Sequence, residues 1–232
     1  MKVVILAGGY GTRLSEYTDT IPKPMVPIGN KPIIEHIMQI YSNYGYNDFY
    51  LALGYKGDVI KDYFKNFKSD WKINLIDTGS ETLTGGRLKR LEKFLSKDTF
   101  MLTYGDGLSN INIKKLVEFH KSHKKMVTIS AVRPPARFGS LSLNGSEVIN
   151  FREKKQLGDS WINGGFFVIN PNFFNFLNDD NTILEKTPIE KVTKLKEIQA
   201  FRHEGFWQCM DHKIDKDMLD EMVLENNAPW LK

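Results

Sequence analysis

The sequence predicts an α/β fold, a mostly parallel mixed sheet flanked by helices, with a small antiparallel section late in the chain. Three observations carry this. Short β-branched runs alternate with segments of helical apolar spacing, the first run ends at paired glycines, and the texture shifts to short strands and turns after Pro134-Pro135. Strand and helix alternating at this rhythm form βαβ units with right-handed crossovers.

Val3–Ala7 is β-branched and stops at Gly8-Gly9, which marks a buried strand. Over 31–44, Ile33, Ile34, Ile37, Met38, Ile40, Tyr41 and Tyr44 share one helical face, and Gly45 closes the helix. Residues 49–53 read as a second strand, 58–67 as a helix through Val59, Tyr63 and Phe64, and 73–76 as a third strand. Leu88, Leu91 and Leu95 place 87–95 on a helix. Phe100–Tyr104 is a fourth strand that runs into Gly105-Asp106-Gly107. Ile113, Leu116, Val117 and His120 mark another helix and 126–132 another strand; His120 and His123 read as helix-end residues rather than metal ligands. Short strand-like pieces follow at 140–143, 148–152 and 161–169, separated by Asn144-Gly145 and Leu157-Gly158-Asp159. A polar-leaning helix over 182–196, a last strand over 197–202 and a final helix over 213–226 complete the chain. With no repeat and no long linker, residues 1–232 read as one domain.

Hydrophobic residues at 41% and charged residues at 26% exclude a disordered chain. Cys209 is the single cysteine, so no intrachain disulfide can form, and neither a signal-peptide pattern nor a membrane-length apolar run is present. A cytoplasmic protein without a membrane partner is expected. The net charge of +4 comes with lysines scattered in small clusters, which read as solvated faces and not as a nucleic-acid stripe.

The strongest local signal is Gly8-Gly9-Tyr10-Gly11-Thr12-Arg13, directly after the first strand. Glycines let successive backbone N–H groups converge on one anion, Thr12 adds a hydroxyl, and Arg13 adds a forked cation for phosphate oxygens. A Walker A loop would need Lys-Ser/Thr after its last glycine, and a dinucleotide fingerprint a third small residue; Arg13-Leu14 supplies neither. Pro22-Lys23-Pro24-Met25 is the second signal, because two prolines hold the backbone on both sides of Lys23. Asp106, between two glycines after a strand, has little local packing purpose and is a candidate metal ligand. On the residues alone, Asp211 is equally an N-cap before Lys213 or a metal ligand.

Taken in order, these two motifs resemble the signature of the sugar nucleotidyltransferase family. Leu83-Thr84-Gly85-Gly86-Arg87-Leu88, Thr103-Tyr104-Gly105-Asp106-Gly107, Arg137-Phe138-Gly139, Ile162-Asn163-Gly164-Gly165-Phe166-Phe167 and Gly205-Phe206-Trp207-Gln208 extend the likeness, most of all to its cytidylyltransferase branch. The resemblance spans nearly the whole chain. It implies a Rossmann-like nucleotide-binding fold, with 1–133 mainly binding nucleotide and 134–232 mainly binding sugar. It implies Mg²⁺ as cofactor, a nucleoside triphosphate (CTP favoured) and a sugar 1-phosphate, glucose 1-phosphate, as substrates, and a homo-oligomer as one form of assembly. CDP-glucose supplied to surface polysaccharide would be the outcome.

Residue by residue, the resemblance implies that Leu6, Ala7, Gly8, Gly9, Gly11, Thr12 and Arg13 bind the nucleotide, with Gly85 and Gly86 against the base. Lys23 would neutralise the reacting phosphates, and Asp106 and Asp211 would hold the metal. Gly139, Glu153, Asn163 and Gly164 would hold the sugar, with Lys154 on its phosphate and Lys155 as the other match. The catalytic set is therefore Arg13, Lys23 and Asp106. The stretch 63–77 is shorter than in the cytidylyltransferases it resembles. A different phosphorylated acceptor or base, or a nucleotide-binding regulator without catalysis, is the alternative.

Overall fold

A computed structural model of the chain describes residues 1–134, 139–152 and 160–232. Strand β1 (Val3–Ala7) is buried throughout, which explains a run of apolar residues without polar alternation. After it come α1 (Ser15–Thr18), a small antiparallel pair of β2 (Pro27–Ile28) and β3 (Lys31–Pro32), and α2 (Ile33–Ser42). The helix expected over 31–44 therefore starts two residues later. Pro32 is extended at its N-cap, because the proline ring favours that geometry and offers no N–H to the first turn.

β4 (Asp48–Leu53), α3 (Gly57–Lys65) and β5 (Lys72–Asp77) follow as expected within one or two residues. The helix expected over 87–95 begins earlier and is broken at Leu91, giving α4 (Thr84–Arg90) and α5 (Glu92–Leu95). β6 (Phe100–Tyr104) leads into a short β7 (Gly107–Ser109), then α6 (Ile113–His123) and β8 (Val127–Val132). β9 (Ser140–Asn144) and β10 (Glu147–Arg152) form a separate antiparallel hairpin.

The main correction concerns 161–169. It was expected in the small antiparallel section, but β11 (Ile162–Ile169) lies in the central sheet between β6 and β8, antiparallel to both. Phe166, Phe167, Val168 and Ile169 are all buried, and a strand apolar on both faces is stable only where both faces are covered. The helix expected over 182–196 shortens to α7 (Thr187–Lys194), with Pro188 in its first turn, and a 3-10 helix (Pro171–Phe176) packs before it. β12 (Ile198–His203), β13 (Trp207–Cys209) and α8 (Lys213–Leu224) close the chain.

Among the described residues the central sheet has seven strands in the order β12-β8-β11-β6-β1-β4-β5, all parallel to their neighbours except β11. Side chains alternate across it. Val3, Ile5 and Ala7 pack with α2 through Ile34, Ile37 and Tyr41, while Val4 and Leu6 pack with Leu88, Leu91, Phe173 and Phe174 on the opposite face. No helix among the described residues is long and apolar enough to cross a membrane.

Candidate active site

The loops after β1 and β6 open on one cleft of about 640 Å³, at the carboxyl edge of the parallel strands. That edge is where open α/β sheets place ligands. Leu6, Ala7, Gly8, Gly9, Gly11 and Arg13 line it. Gly11 has a φ of 67°, and a Cβ there would stand 2.9 Å from the Thr18 methyl and 3.0 Å from Lys23 Cβ. Conformation and space together demand glycine at this point.

Arg87 holds the same loop from beneath. Its guanidinium is buried and donates to the carbonyls of Gly8 (2.8 Å), Leu53 (3.1 Å), Gly79 (2.6 Å) and Ser80 (3.1 Å) and to Thr78 Oγ1 (2.9 Å). The ends of β1, β4 and β5 are thereby tied to one side chain. A Cβ on Gly8 would fall 2.3 Å from Arg87 Nη1, so that glycine leaves room for the guanidinium.

The charged centre sits at the mouth of the Gly-rich loop. Lys23 is buried at the start of a 3-10 helix (Lys23–Met25), between its two prolines. Its Nζ donates to Asp106 Oδ2 at 2.7 Å and to Asp211 Oδ1 at 2.8 Å, and Arg13 Nη1 donates to Asp211 Oδ2 at 2.7 Å. Burial opposes the Lys23 charge, but the neighbouring carboxylates outweigh it and hold the ammonium above its ordinary value. Burial likewise opposes the Asp211 charge, yet Lys23 and Arg13 hold its carboxyl below the ordinary range.

Asp106 and Asp211 are far apart in sequence and meet because β7 and β13 pair antiparallel, with Gly107 opposite Cys209. The Met210 N–H donates to the Asp106 carbonyl at 2.8 Å and completes the junction. Asp211 is not the N-cap of α8. His212 takes that position with Asp215 completing the cap, and the Asp211 carboxylate faces Lys23 and Arg13 instead.

Ligand atoms of Asp106, Cys209 and Asp211 all lie within 4.8 Å of one another. Two carboxylates that meet in the cleft are the hard oxygen donors that Mg²⁺ takes, so the residues fit that ion. Burial, and then the charge of Asp106, push the Cys209 thiol up, which leaves the carboxylates as the donors suited to a hard cation.

Asn163 and Gly164, at the start of β11, also line the cleft. A Cβ on Gly164 would meet Val132 Cγ1 at 2.6 Å, and Trp207 Nε1 donates to the Gly164 carbonyl at 2.7 Å. Thr12, Gly85, Gly86 and Gly139 are not among the lining residues. Gly85 and Gly86 also pack closely: Cβ atoms there would stand 2.7 Å from Thr182 Cγ2 and 2.5 Å from the Asp180 carbonyl. Glu153, Lys154 and Lys155 lie outside the described residues. The sequence reading missed Glu185, which lines the cleft from a polar segment carrying no motif, and Glu81, which accepts from the Tyr10 hydroxyl. Nothing local in either segment signals such a placement.

The nucleotidyl transferase family model matches residues 2–208. A glucose-1-phosphate cytidylyltransferase of Salmonella typhimurium is 44% identical over 253 aligned positions, covering 99% of this chain and 98% of that protein. Because the alignment is longer than the 232-residue chain, the Salmonella protein carries residues that this chain lacks. A mannose-1-phosphate guanyltransferase of Saccharomyces cerevisiae is 33% identical over 98% of this chain and 65% of that protein. HddC from Yersinia pseudotuberculosis, in a crystal structure complexed with GMP-PN, matches with a TM-score of 0.75 at 28% identity, over 96% of this chain and 99% of that one.

Proposed function

This chain belongs to the nucleotidyl transferase family, and we propose that it transfers CMP from CTP to glucose 1-phosphate, giving CDP-glucose and pyrophosphate. The 44% identity to a glucose-1-phosphate cytidylyltransferase, over nearly the full length of both chains, carries this reading. The cleft is consistent with it, because a triphosphate needs a glycine-rich cradle beside concentrated positive charge.

The nucleophile is an oxygen of the sugar phosphate, and it attacks the α-phosphorus in line with the departing pyrophosphate. A phosphate monoester has a second pKa of about 6, so this oxygen is ionised near neutrality and needs no general base. Backbone N–H groups of 8–11 hold the triphosphate, and Arg13 and Lys23 stabilise charge on the phosphorane-like transition state. Gly139, Glu153, Asn163 and Gly164 would hold the sugar, with Lys154 on its phosphate. Asp106 and Asp211 would hold Mg²⁺, which when bound neutralises phosphate charge and orients the reacting groups.

A second reading changes the base and keeps the chemistry: the guanyltransferase likeness at 33% identity favours testing GTP with a hexose 1-phosphate. Pyrophosphate release is measured with Mg²⁺ across CTP, UTP, dTTP, ATP and GTP, each with glucose 1-phosphate or mannose 1-phosphate and without acceptor. Release confined to CTP with glucose 1-phosphate is expected. Release with another pair overturns the specificity but keeps the reaction, and nucleotide binding without release at any pair overturns the enzyme.

A further inference from the structure

Glu185 lies shortly before α7, on the segment against which α4 packs, and its carboxylate reaches the cleft. Its Oε1 accepts from the Tyr104 hydroxyl at 2.6 Å, and its Oε2 accepts from the Thr84 hydroxyl at 2.7 Å. The Tyr104 oxygen accepts in turn from Asn163 Nδ2 at 3.2 Å, and Asn163 Oδ1 accepts from the Gly165 N–H at 2.8 Å.

Every bond in this chain has a fixed direction. A backbone N–H can only donate, so Asn163 presents its oxygen to Gly165 and its amide hydrogens to Tyr104. A carboxylate can only accept, so the protons of Tyr104 and Thr84 both point at Glu185. Thr84 is held from behind as well, since the Leu184 N–H donates to its Oγ1 at 3.0 Å.

Glu185, Thr84 and Asn163 are open to solvent or partly so, and hydrogen bonds in such a place contribute little to stability against competing water. Ordering four side chains from four parts of the chain has a more specific result: it sets the rotamer of Asn163 at the lip of the cleft. We propose that Glu185, acting through Tyr104, is a positioning residue that orients the Asn163 amide for the acceptor sugar. This rests on the reaction proposed above. Glutamine at 185 has a single acceptor oxygen for two hydroxyl protons, so the chain loses its fixed direction.

The test is steady-state pyrophosphate release by the full chain, with CTP and glucose 1-phosphate varied in turn, for wild type, Glu185→Gln, Tyr104→Phe and the double variant. The expected result for Glu185→Gln is a KM for glucose 1-phosphate raised about tenfold, on the scale of one oriented hydrogen bond, with the KM for CTP within about twofold of wild type. Tyr104→Phe should match it, and the double variant should be no worse than Tyr104→Phe alone, because both changes cut the same chain. Urea unfolding midpoints within error of wild type accompany a positioning role. An unchanged acceptor KM, equal rises in both KM values, or multiplying effects in the double variant overturn the inference while the reaction stands. A wild-type chain that releases no pyrophosphate with this pair overturns the assigned reaction and this inference with it.

Discussion

Lys23 is the most constrained charge in the cleft, and the proposed reaction places it at the reacting phosphates. An ammonium taken out of water is costly unless it is paired and fully hydrogen-bonded, and here two carboxylates meet it at 2.7 and 2.8 Å. The same pairing keeps it charged, as the proposed phosphate role requires. Lys23→Ala and Asp106→Asn should each lower the rate of pyrophosphate release on the order of a hundredfold or more, the scale of losing one electrostatic stabiliser at a reacting centre. Circular dichroism should show both variants folded, since Arg13 still pairs with Asp211 when Lys23 is gone. The Lys23 platform was legible in its flanking prolines, and Asp106 in its flanking glycines. Asp211 was not decided by its neighbours. An aspartate two residues before a helix looks like a cap, and only the pairing of β7 with β13 turns its carboxylate toward Lys23.

Arg87 shows how an element is placed. α4 presents this side chain to the ends of three parallel strands, where it satisfies carbonyls of Gly8, Leu53, Gly79 and Ser80. Arg87→Met would remove five charge-assisted bonds at once: the Gly8 and Leu53 carbonyls keep the Tyr55 and Thr78 N–H groups, while those of Gly79 and Ser80 lose the guanidinium to water. The expected cost is about 2 kcal/mol in urea unfolding, on the scale of lost charge-assisted hydrogen bonds. The KM for CTP should rise with it, because the Gly-rich loop loses its anchor. A variant as stable as wild type would mean that water or backbone rearrangement serves those carbonyls. α4 also explains its two glycines. Their missing Cβ atoms admit the backbone of 180–182. The contact partner is nearly a hundred residues away in sequence, which is why no local pattern could report it.

At the scale of the molecule, the order β12-β8-β11-β6-β1-β4-β5 weaves the second half of the chain into the first. β11 covers the free edge of β6, and Phe166 packs against Tyr41 of α2 at a ring separation of 6.0 Å. A fragment of residues 1–133 would expose that edge and those apolar faces. It should show no cooperative transition in calorimetry, whereas the full chain should unfold in one. Two separate transitions in the full chain would contradict a single sheet built from both halves.

The alternation of strands and helices, the Gly-rich loop with Arg13 and Lys23 near it, and Asp106 between its glycines were all readable along the chain. These are local properties: apolar period, backbone freedom at glycine, and restriction at proline act within a few residues. Only the folded chain puts β11 in the central sheet, brings Asp211 to Asp106, packs Gly85 and Gly86 against 180–182, and carries Glu185 to the cleft. Each of those depends on which distant strand or loop lies alongside. That choice is made by burial of both faces of a sheet at once, a quantity that exists only when the whole chain is folded.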